Sequence, residues 1–129
     1  MRDENILVIE DNELNMKLVK GLLRIGKYCM LEASDAESGI QLIREQRPDL
    51  VLMDIQLPGM DGLSAAKIIN EDPLLKDIPI VALTSYAMQG DKEKALEAGC
   101  TGYIAKPIDT RKFLKTISQY LNGNNPRKS

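Results

Sequence analysis

The sequence contains no histidine, and its two cysteines, Cys29 and Cys100, stand at a spacing that fits neither a metal-ligand nor a redox motif. Zinc sites built on Cys and His are thereby excluded, as is every catalytic triad that uses an imidazole base. Any metal here must be held by oxygen. Both thiols are expected to be buried and unreactive. Apolar runs longer than a strand are also missing, and the opening residues Met1-Arg2-Asp3-Glu4-Asn5 are polar and charged. Neither a transmembrane span nor a secretory signal is read from them, and the chain reads as cytoplasmic. An excess of one charge is lacking too: 17 Lys plus Arg face 19 Asp plus Glu, a net charge of -2. No global field favours nucleic acid or an anionic membrane. With 129 residues the chain is expected to form one domain, large enough for a real core.

What is present is organised around Leu50-Val51-Leu52-Met53-Asp54 and the Pro- and Gly-punctuated loop Ile55-Gln56-Leu57-Pro58-Gly59-Met60-Asp61-Gly62. An apolar run without polar alternation suits a strand buried on both faces, and this one delivers a carboxylate into a loop. Earlier, Ile6 to Ile9 reads as a strand ending at Glu10-Asp11, and Leu14, Leu18, Leu22 and Ile25 recur at helical spacing before Gly26 stops the helix. Tyr28 to Ala33 reads as a second strand, interrupted by Glu32. Ser34 with Glu37 fits a capping box, opening a helix with Ala36, Ile40 and Ile43 inside.

After the Asp54 loop, Leu63, Ala66 and Ile69 mark a short helix closed by Asp72-Pro73. Ile78 to Leu83 is the fourth strand, ending at Thr84-Ser85, and a Lys- and Glu-rich helix near Asp91 to Ala98 is capped by Gly99. Gly102 to Ala105 is the fifth strand, finishing at Lys106-Pro107. Asp109 then caps a helix carrying Phe113, Ile117 and Leu121, and a polar tail runs from Asn122 to Ser129. Strict alternation of strand and helix, with connections too long for hairpins, predicts an α/β fold: a doubly wound five-stranded parallel sheet. Strand order 2-1-3-4-5 brings the carboxyl ends of strands one, three, four and five to the switch point where such folds bind ligands.

Those four ends carry Glu10 and Asp11, then Asp54, then Thr84, then Lys106. Each could serve locally: as a helix-start charge, a loop hydrogen-bonder or a solvated side chain. All five at strand ends on one edge argue instead for a site. Three clustered carboxylates repel one another unless a hard cation joins them, and Mg2+ suits oxygen ligands while leaving open positions for water or phosphate. A lysine and a hydroxyl complete a phosphoryl cradle.

On Ile9-Glu10-Asp11-Asn12, Leu52 to Gly62, Ala82-Leu83-Thr84, Ala98-Gly99 and Tyr103-Ile104-Ala105-Lys106-Pro107, the sequence resembles the receiver domain of two-component response regulators, with its CheY-like, flavodoxin-like fold. The resemblance spans about residues 5–121 and is nearest to stand-alone receivers such as DivK and to receivers of hybrid histidine kinases. It implies that Asp54 accepts a phosphoryl group from a partner phosphohistidine. It further implies that Asp11, Asp54 and the Gln56 carbonyl ligate magnesium, with Glu10 acting through a bound water. Lys106 and the Thr84 hydroxyl would hold phosphoryl oxygens, and Thr84 and Tyr103 would form a conformational switch. Gln56 and Tyr86 would tune access of the hydrolytic water, Ser85 would keep the site open, and the Lys106-Pro107 bond would be cis.

The implied partners are a histidine kinase or histidine phosphotransfer protein and a downstream protein effector. Catalysis beyond self-phosphotransfer and self-dephosphorylation is not expected. Two other readings stay open. A haloacid-dehalogenase-like phosphatase shares the strand-end Asp, magnesium, hydroxyl and Lys, but it needs a second Asp where Gln56 stands. A phosphorylation-independent adaptor would leave the five groups without a task. A flavodoxin-like cofactor module is disfavoured, because Glu10-Asp11-Asn12-Glu13 would repel the phosphate its first loop must bind.

Overall fold

The computed structural model describes residues 4–57, 59–84 and 89–122. Ten elements alternate in order: β1 (Asn5–Ile9), α1 (Glu13–Ile25), β2 (Cys29–Ala33), α2 (Ala36–Gln46), β3 (Leu50–Asp54), α3 (Gly62–Glu71), β4 (Ile80–Thr84), α4 (Gln89–Glu97), β5 (Gly102–Ala105) and α5 (Phe113–Leu121). The strands form one parallel sheet in the order β2-β1-β3-β4-β5. This is the expected CheY-like arrangement.

Alternation along each strand divides the apolar residues between two cores. Leu7, Ile9, Val51, Met53 and Ala82 face α2, α3 and α4, while Ile6, Val8, Leu50, Leu52, Val81 and Leu83 face α1 and α5. Every residue of β3 and β4 is buried, which is why their sequences are continuously apolar up to Asp54 and Thr84. β2 is an edge strand with exposed positions at Cys29 and Glu32. Cys100 is buried as expected, but Cys29 is not, because the edge leaves it facing solvent.

Several local details differ from the sequence reading. Helix α1 buries Val19, Leu22 and Leu23, whereas Leu14 and Ile25 are 76% and 71% exposed and Leu18 is 39% exposed. The inward stripe shares only Leu22 with the expected one and is rotated from it by roughly 100°, one residue step of a helix. Helix α2 is capped by Asp35, whose side chain accepts from the Ser38 N–H, and not by Ser34. At the end of α1, Gly26 keeps a right-handed conformation and Lys27 takes the positive φ of 65°. A Cβ on Gly26 would press on Tyr28 and Leu114, so that glycine answers to packing. Asp109 starts a turn before α5 and does not cap the helix, whose N-cap is Lys112. The helix before Gly99 begins at Gln89. Ser85, Tyr86 and the tail beyond Asn122 lie outside the described residues.

Candidate functional site

Pairing of β1 with β3 sets Ile9 against Met53, so Glu10 leaves the sheet beside Asp54. Pairing of β3 with β4 sets Asp54 against Leu83, and Thr84 ends β4 one residue further on. Thr84 pairs with Ala105 of β5, its carbonyl accepts from the Lys106 N–H at 2.7 Å, and the Lys106-Pro107 bond is cis. Parallel strands thus deliver all these residues to one edge, and the long Lys106 side chain crosses the end of β4 to reach the acids.

Lys106 Nζ donates to Glu10 Oε1 and to Asp54 Oδ2, each at 2.8 Å. The other oxygen of each acid accepts from a backbone N–H two residues later: Glu10 Oε2 from Asn12 at 3.2 Å and Asp54 Oδ1 from Gln56 at 2.8 Å. Both carboxylates are therefore held at both oxygens, the pattern by which short acidic side chains stabilise the turn that follows them. Glu10, Asp54 and Thr84 are buried, and Asp11 is exposed at the mouth. Gly62 is required here, since a Cβ would lie 2.5 Å from the Asp54 carbonyl oxygen. It lets α3 start directly against the strand end, with Asp61 capping it by accepting from the Ser64 N–H.

Glu10, Asp11 and Asp54 each offer a carboxylate oxygen within 4.8 Å of the others. Burial pushes the Glu10 carboxyl above its ordinary pKa, and the neighbouring Asp54 adds to that, against the opposing pull of Lys106. Burial alone would lower the Lys106 ammonium, but its hydrogen bonds and charge attraction to Asp54 and Glu10 outweigh that and hold it above its ordinary value. Among the described residues, one ammonium against three carboxylates leaves a deficit of positive charge at the end of a cleft of about 560 Å³. An all-oxygen donor set with that deficit fits a hard divalent cation. Gln56 borders the cleft with an exposed side chain, and Leu14 of α1 forms part of its rim. Tyr103 lies half-buried on β5, opposite Ala82, and packs toward the core under α4. The sequence reading named Glu10, Asp11, Asp54 and Lys106, which the structure brings together, and Thr84, which is buried at the adjoining strand end. It missed Gly62 as the residue that admits α3, for which the Asp-Gly pair after a buried strand was the available signal.

Residues 6–118 match the response regulator receiver domain family. The chain belongs to that family. It is 43% identical over 118 residues to the polar-differentiation response regulator DivK of Brucella anthropi, covering 92% of this chain and 96% of that protein. Among solved structures it is similar to the receiver domain of a sensor histidine kinase from Pseudomonas aeruginosa, described with a magnesium ion coordinated in the active site cleft. That match has a TM-score of 0.87 at 33% identity and covers 95% of this chain and all of that one (100%). It is also similar to the Saccharomyces cerevisiae response regulator Ssk1, whose receiver domain was solved in complex with the histidine phosphotransfer protein Ypd1. Here the TM-score is 0.87 at 30% identity, with 95% of this chain and 91% of that one covered. The protein is thus a DivK-like receiver domain of two-component signalling, a pathway in which receivers work with histidine kinases or phosphotransfer proteins. Among the described residues no helix is long and apolar enough to cross a membrane.

Proposed function

We propose that this receiver, folded as one domain over about residues 5–121, takes a phosphoryl group onto Asp54 and signals by a change of surface. The observation that carries the reading is the grip of Lys106 on Asp54 and Glu10 at 2.8 Å within a cluster of three carboxylates at the strand ends. An Asp54 carboxylate oxygen attacks the phosphorus of a partner phosphohistidine, the P–N bond breaks, and the imidazole leaves with the electron pair. No general base is needed, because the nucleophile is already ionised. Lys106 then exchanges a carboxylate for a phosphoryl oxygen, and the Thr84 hydroxyl donates to another. Positioning and charge neutralisation of this kind account for most of the catalysis of phosphoryl transfer.

Glu10, Asp11, Asp54 and the Gln56 carbonyl would hold magnesium, which supplies the positive charge that Lys106 alone does not. Thr84 and Tyr103 form the switch, biased by the new charge. Gln56 and Tyr86 regulate entry of the hydrolytic water, beside a small Ser85. Leu14 at the cleft and Leu18 one turn further along α1 are exposed and give a phosphodonor protein an apolar surface to dock on. Output passes to a protein effector in the cytoplasm, with no part for nucleic acid or membrane.

The test is incubation with acetyl phosphate and magnesium, read by intact mass together with assay of a generic phosphate ester. One phosphoryl adduct per chain without steady ester hydrolysis is expected. Sustained turnover would favour the phosphatase reading, and a folded protein that gains no mass would favour the adaptor.

A further inference from the structure

Sheet edge β5 carries an arrangement that the phosphoryl chemistry does not use. Among the described residues its sheet neighbour is β4, and no strand lies along the other side of its backbone. The Lys106 N–H points back to Thr84 of β4. Backbone N–H groups alternate in direction along a strand, so that of Tyr103, three residues earlier, points to the outer edge. An edge N–H in a half-buried place needs a hydrogen-bond partner from outside the sheet. Tyr120, in the last turn of α5, supplies it: its phenol oxygen takes the hydrogen bond from the Tyr103 backbone.

Gly102 gives independent support from sterics. A Cβ at that position would collide with the Tyr120 hydroxyl and ring, although Gly102 has no positive φ that would demand glycine. A glycine inside a strand is unfavourable unless something must approach the backbone closely, and here that something is the Tyr120 phenol. The ring itself packs against the core shared by α1 and α5, while the Tyr103 side chain turns to the opposite core under α4. Tyr120 and the Tyr103 side chain therefore hold one short stretch of backbone from its two faces.

We propose that Tyr120 is a positioning residue, a clamp that fixes the β5 backbone at Tyr103 to α5 and passes any turn of the Tyr103 side chain on to that helix. Gly102 is the seat of the clamp. The coupling half of this inference rests on the reading of Tyr103 as a switch residue; the clamp itself does not.

Amide hydrogen exchange on the whole protein separates the two. In the absence of phosphodonor and metal, Tyr120→Phe keeps the ring and removes the acceptor. Exchange at the Tyr103 amide is expected to rise about fivefold, the equivalent of one hydrogen bond of ~1 kcal/mol. Gly102→Ala, which displaces the phenol while leaving it intact, is expected to release the same amide, with thermal melts confirming that both variants are folded. Exchange within twofold of the parent protein in the folded Tyr120→Phe variant would overturn the clamp. With beryllium fluoride and magnesium as the phosphoryl mimic, the parent protein is expected to change exchange across α5, and Tyr120→Phe to lose at least half of that change. An equal response in both would overturn the coupling. A parent protein that does not bind the mimic would overturn the proposed function, and the metal-free measurement would still decide the clamp.

Discussion

Two lysine–glutamate pairs in this molecule use the same chemical groups and do different things. Lys20 and Glu32 meet at 3.5 Å across α1 and β2, each side chain 47% exposed. Lys106 and Glu10 meet at 2.8 Å with side chains 11% and 0% exposed, and the same ammonium also holds Asp54 at 2.8 Å. At the surface, water competes for both ions and the pair is worth little. At the strand ends, water is largely displaced from Glu10 and Asp54, and the Lys106 ammonium must serve both buried acids while Asp11 adds a third charge at the mouth. That imbalance separates the two pairs: among the described residues three carboxylates share one ammonium at the strand ends, an all-oxygen set that fits a hard cation.

The two pairs are expected to respond unequally to the loss of their lysine. Lys106→Ala leaves Glu10 and Asp54 buried beside each other without their ammonium. In magnesium-free buffer this is expected to lower unfolding free energy by about 3 kcal/mol, the low end for a broken buried pair because the cleft opens to water. Added magnesium should restore part of that loss, and chemical denaturation with and without the metal measures both. The same denaturation of Lys20→Ala should show a change of about 0.5 kcal/mol or less, diminishing further at high salt. Equal losses in the two variants would remove the distinction between the pairs.

A smaller, pH-dependent effect is expected at Asp35, a partly exposed carboxylate in a simpler setting than either pair. Its pKa is held below the ordinary value by the backbone N–H and then the hydroxyl of Ser38. Because the folded state favours the ionised form, this cap contributes stability above the unfolded-state pKa and loses it as pH falls through the folded one. The melting temperatures of the parent protein and Asp35→Ala should therefore differ at neutral pH and converge in acid. A gap that widens in acid would contradict the cap.

Much of this could be read in the chain because burial writes itself into composition. β3 and β4 are buried on both faces, so their sequences are unbroken apolar runs, and the residues that end them are conspicuous by being polar. Glu10, Asp11, Asp54, Thr84 and Lys106 are brought together by strand order, which converts five distant positions into one edge. The face of α1 was less legible. Its apolar residues Leu14, Met16, Leu18, Val19, Leu22, Leu23 and Ile25 cover a wide arc, and periodicity alone does not say which part of the arc meets the sheet. Ser34 and Asp35 are adjacent residues that both suit a cap, and the choice depends on where the chain leaves β2. Exposure of Cys29 follows from the sheet having an edge there, and the contact of Tyr120 with Gly102 joins two elements that no local pattern connects.

The residue that carries the phosphoryl group can be identified chemically. After acetyl phosphate treatment, borohydride reduces an acyl phosphate to the alcohol, turning the modified aspartate into homoserine, and peptide mass mapping then finds it. Conversion is predicted at Asp54 alone and is predicted to vanish in Asp54→Asn. Conversion at Asp11 or Glu10 in the parent protein, or undiminished conversion in the variant, would contradict the assignment of Asp54 as the acceptor.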